Sequence, residues 1–125
     1  MSEEEIWKRE RFERWKKKAT LRLERSMIYS MLKHGYVTEI RPDILNIFKF
    51  KQDQRKQVEL LLDKLAMETE QSEKFDIPRI TNLLKELTDV KVTNPPILWL
   101  RLLKLRRDMI AWKEDLEREK WENWS

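Results

Sequence analysis

The chemistry open to this chain follows from a short inventory of reactive side chains. His34 is the only histidine, Gly35 the only glycine, and there is no cysteine. These offer no Ser/His/Asp or Cys/His constellation and no two-histidine or cysteine-based metal site. A lone imidazole in the last turn of a helix reads instead as a partner for the negative end of the helix dipole. One glycine cannot build a phosphate-cradling loop. The carboxylates Glu114, Asp115, Glu117, Glu119 and Glu122 alternate with Lys113, Arg118 and Lys120, the i,i+4 pattern of an exposed helix rather than an acid–base pair. Neither catalysis nor a cofactor, a metal ion or a small-molecule substrate is expected.

Two other constellations point to binding. From Lys8 to Arg25 nine basic residues face three acids, a local charge of 9 − 3 = +6 against +4 for the whole chain. Arg14, Lys16, Lys17, Lys18, Arg22 and Arg25, with Trp15 among them, could follow a phosphate backbone; the plainer reading is a solvated face. RWKKK also resembles a weak nuclear-import cluster. The second constellation is aromatic. Trp7, Phe12 and Trp15 lie near one end of the chain, and Trp112, Leu116, Trp121 and Trp124 near the other. Either they close a bundle against one another or they form a docking surface, since Trp and Arg are enriched at binding hot spots.

The elements that must position these residues are helical. With 40% charged residues, four prolines and one glycine, the composition suits long helices with solvated faces. Six Trp and four Phe argue against disorder despite a mean hydropathy of −0.79. Ser2 with Glu5 forms a capping box, and Gly35 suits a left-handed stop, so a helix is predicted from Glu3 to His34. Its narrow stripe is Phe12, Trp15, Ala19 and Leu23; beyond Leu21 it is expected to turn onto the core. Tyr36 to Arg41 reads as a connector, with Pro42 opening a short helix. The alternation of Ile44, Asn46, Phe48 and Phe50 leaves a strand as the alternative. A helix from Asp53 to Glu70 carries Val58, Leu61, Leu62 and Leu65, with Met67 a further candidate for its apolar face, followed by a polar linker, Gln71 to Lys74. Asp76 caps the next helix, with Phe75 and Ile80 as a hydrophobic staple and an end near Asp89.

The last helix, Pro95 to Trp124, organises the rest. Leu98, Leu102, Leu105, Met109, Trp112 and Leu116 recur at spacings of 4 and 3, a seam of about three heptads, at the lower limit of a coiled coil. Its first half is apolar on nearly all sides, so it should stand surrounded as the central post. Asn94 or Thr93 would cap it.

The fold expected is all-α: a single domain over residues 1–125, with two long terminal helices packed around two or three shorter ones. The ends near 1–20 and 112–125 would project from the bundle. Asp76–Arg107, with DIPRITNLLKELTDVKVT and a later LKLRR, resembles part of the helical-bundle domain at the N-terminus of transcription elongation factors and of some chromatin-tethering proteins. That likeness implies docking of short linear motifs, although the spacing between the Val-Thr turn and the basic pair is several residues shorter here. The function expected is a non-catalytic adaptor that docks on a protein partner or self-associates; the alternative is a small nucleic-acid-binding protein using the first helix. No stretch approaches the roughly 20 apolar residues of a membrane span. With an acidic start and no cysteine, cytosol or nucleus is the expected location.

Overall fold

The computed structural model describes residues 2–47 and 50–122, with backbone alone at 47 and 122. Among these residues the chain is all-α: α1 (Glu3–Lys33), α2 (Tyr36–Ile47), α3 (Gln52–Ala66), α4 (Ile77–Thr88) and α5 (Ile97–Glu122). No strand occurs among them, so 44–47 is helical rather than extended. A π-helical turn, Met67–Gln71, prolongs α3. The chain divides into two compact units, Met1–Met31 and Leu32–Ser125, each described by itself.

The first unit is the body of α1. The Glu5 amide donates to the Ser2 hydroxyl at 3.3 Å, and Glu3, Glu4 and Glu5 put negative charge in the first turn. The predicted turn of this helix onto the core comes only at its end: Leu21, Leu23, Met27 and Met31 are exposed, Ile28 is half-buried and Leu32 is buried. In all of α1 only Leu32, already within the second unit, is buried.

In the second unit successive helices pack on one another: α2 on α3, α3 on α4, and α4 on α5. Gly35, at φ +96°, stops α1 in the left-handed region. It also opens α2, because its carbonyl accepts from the Glu39 amide at 2.9 Å. Glycine has no side chain to cap the new helix. Glu70 of the π turn takes that role: its carboxylate accepts from the Thr38 amide at 3.0 Å and from the Thr38 hydroxyl.

The connector expected at 36–41 is therefore helical, and Pro42 lies inside α2. Val37, Ile40, Ile44 and Leu45 explain why. All four are buried, at roughly 1.5–3 kcal/mol each, which outweighs the cost of about 3 kcal/mol for an interior proline. Tyr36, half-buried at the start of α2, has its phenol pushed above the ordinary value by burial; the Arg101 guanidinium partly reverses this and Glu39 adds to it.

Asp76 caps α4 as predicted, accepting from the Arg79 amide at 3.3 Å. Ile80, Thr81, Leu83, Leu84, Leu87 and Thr88 are buried. The threonines remain satisfied: the Thr81 hydroxyl donates to the Ile77 carbonyl at 2.6 Å, and that of Thr88 to the Leu84 carbonyl at 2.7 Å. Arg106 of α5 then donates to the Thr88 hydroxyl and to Asp89, at 3.0 and 2.7 Å.

The central post is corrected. In α5, Trp99, Leu102, Leu105 and Met109 are buried, but Ile97, Leu100 and Leu103 are exposed by 71%, 50% and 37%. Leu98 is half-buried. The helix is covered along one stripe, chiefly by α4, and is not surrounded. Its start is also corrected. Pro96, whose carbonyl accepts from the Leu100 amide at 3.2 Å, precedes the first turn, while Asn94 sits in a left-handed turn at φ 51°.

Two stability outcomes are expected. Leu102→Ala should cost about 2–5 kcal/mol, whereas Leu100→Ala should stay within about 0.5 kcal/mol, both measured by urea melts. Gly35→Ala should cost about 1–2 kcal/mol from the left-handed backbone alone, because a Cβ there meets nothing closer than Glu70 Oε1 at 3.9 Å.

Candidate functional site

Each residue along an α-helix turns by about 100°, and this sorts the charges of α1. Trp7, Arg11, Arg14, Trp15, Lys18 and Arg22 fall within one sector of about 100°. Five of them, Trp7 to Lys18, line a shared shallow groove. The Arg11 guanidinium lies over the Trp7 ring, 5.3 Å from its centroid, a cation–π contact worth about 0.5–1 kcal/mol at an exposed site. No acidic residue between Trp7 and Arg25 falls in this sector. Glu13 and Glu24 lie on the other side, where they share a groove with Lys16, Lys17, Thr20 and Leu21. Glu10 lies about 40° beyond the edge of the sector and lines a groove with Glu13, Arg14 and Lys17.

The three consecutive lysines are thereby separated. Lys18 belongs to the acid-free stripe, while Lys16 and Lys17 stand beside carboxylates. Among the described residues, Arg11, Arg14, Lys18 and Arg22 form no ion pair. Arg25, at the far end of the stripe, is half-buried and has a partner within the protein.

A second stripe runs beside the first. Phe12, Trp15, Leu23 and Met27 are 60%, 64%, 67% and 71% exposed, with the half-buried Ala19 between them. The rings of Phe12 and Trp15 are 6.0 Å apart and tilted by 32°. Trp7 is also exposed.

On α5 the aromatic set divides. Trp112 is half-buried, with its ring 6.0 Å from that of Phe75; Leu116 is likewise half-buried. Trp121 is 80% exposed, and Trp124 lies outside the described residues. Sequence reasoning treated α1 as a run of charge. The angular separation of its basic and acidic residues went unread, although a helical wheel would have found it.

Among the described residues, no group of three His, Cys, Asp or Glu is placed to hold a metal ion. No helix among them is long and apolar enough to cross a membrane. Fold and surface define the class as an all-α helical protein with an exposed basic and aromatic helix. Beyond that class, no protein-family model, curated protein or solved structure matches the chain.

The exposures predict the fluorescence. Replacing Trp7, Trp15 and Trp121 by Phe should remove much of the iodide-quenchable emission and leave a shielded component from Trp99, which is only 3% exposed. Stern–Volmer plots of the two proteins check this.

Proposed function

We propose that this protein is a non-catalytic adaptor that docks on a protein partner through α1. The observation that carries the reading is the uncovered stripe Phe12–Trp15–Ala19–Leu23–Met27. Long helices in folded proteins owe most of their stability to the packing of an apolar face. Here a helix of 31 residues buries one side chain, while Phe12, Trp15, Leu23 and Met27 face water on one side, Ala19 completing their spacings of three and four. Such spacing is how a helix lies in the groove of a partner, as i, i+3, i+4 and i+7 anchors. Trp7, on the same helix, adds an exposed indole of the kind enriched at interface hot spots; Trp121 offers another on α5, in the second unit. Trp112 and Leu116 contribute less, being half-covered already. The cysteine-free composition suits a reducing compartment, cytosol or nucleus.

The test is co-purification with the full chain, with and without nuclease. A specific protein should be retained after nuclease and lost from a Phe12→Gln/Leu23→Gln/Met27→Gln variant whose circular dichroism and melt match wild type. Equal retention by the variant, or release of everything by nuclease, would remove the adaptor reading.

A further inference from the structure

The acid-free stripe of α1 calls for a different occupant from the apolar one beside it. We infer that Trp7, Arg11, Arg14, Trp15, Lys18 and Arg22 form a track for a single-stranded polynucleotide. The first reason is charge. Arg11, Arg14, Lys18 and Arg22 follow one another along the helix at rises of about 4.5–6 Å. None forms an ion pair with a carboxylate among the described residues, Arg14 alone sharing a groove with Glu10 and Glu13, and all are exposed. A row of unpaired cations on one line suits a polymer that repeats its negative charge along a line.

The second reason is the pair of indoles set into the same row. Trp7 and Trp15 are separated by about 12 Å along the axis and are 54% and 64% exposed. An unstacked base offers an indole a π face, and stacking platforms among cations are how single strands are held without sequence preference. A duplex keeps its bases stacked inside and gives these rings nothing to stack on. An acidic protein helix would satisfy the cations and leave the indoles idle. An anionic bilayer would take the apolar stripe from Phe12 to Met27, with these cations as its flank, and would leave Trp7, more than 90° of helical rotation away from the middle of that stripe, without a role.

The inference does not rest on the adaptor reading, which uses the stripe from Phe12 to Met27. The Phe12→Gln/Leu23→Gln/Met27→Gln variant should lose a protein partner and keep the polynucleotide, so the two can fail separately. The probe is a fluorescein-labelled 20-nucleotide oligo(dT), titrated with the full-length protein at several salt concentrations.

Four cations imply a log–log salt slope of about −3. Arg14→Gln/Lys18→Gln should lower it by about 1.4, whereas Lys16→Gln/Lys17→Gln, beside Glu13 and Glu24, should change it far less. Trp7→Leu/Trp15→Leu should weaken binding at least fivefold with the slope unchanged. Circular dichroism confirms that α1 persists in each variant. Four results would overturn the track: no binding to the oligonucleotide, equal affinity for polyglutamate or for a duplex of the same length, equal effects of the two cation pairs, or indifference to loss of the indoles.

Discussion

The burial of Ile80, Leu83, Leu84 and Leu87 in α4, a helix that packs on both α3 and α5, is the constraint on which the second unit depends. Four such side chains contribute roughly 6–12 kcal/mol at 1.5–3 kcal/mol each. That is comparable with the entire net stability of an ordinary domain, about 5–15 kcal/mol. The two threonines of α4 sit in the same dry environment and are tolerated because each hydroxyl donates to a carbonyl one turn back. A helix of only 12 residues is thus the one at the centre, and the longest apolar run is not.

Why the sequence misled on that point is physical. The first half of α5 carries Leu and Ile on almost every side, and hydrophobic density alone suggests enclosure. Enclosure needs neighbours, and three short helices that pack in chain order cover one stripe, not a cylinder. What was legible was whatever local chemistry decides: the Ser2 cap, the Gly35 stop, the Asp76 cap and the end near Asp89. Tyr36–Arg41 was illegible because its helix is started by Glu70, thirty-two residues away from Thr38. No window along the chain contains both. The spacing Val37–Ile40–Ile44 was the available signal, and Pro42 obscured it.

In α1 the difficulty was of another kind. Net charge treats nine cations as interchangeable, whereas helical rotation gives each its own surroundings. Lys17 and Lys18 are adjacent in sequence, yet one shares a groove with Glu13 and Glu24 and the other with Trp7 and Trp15. One helix thus carries a cationic stripe and an apolar stripe side by side. Trp15 stands at the border of both.

The order in which the helices pack also bears on how the second unit forms. Each of α2 to α5 finds its main partner in the element next to it along the chain, so little loop entropy is lost before contact energy is gained. Topologies of this kind fall in the fast range of folding, microseconds to milliseconds, without long-range pairing as a slow step. A chain that closes neighbour by neighbour leaves its apolar surface open only briefly. For a sequence that keeps Ile97, Leu100 and Leu103 in water even when folded, rapid closure of the remainder limits the apolar area open to aggregation.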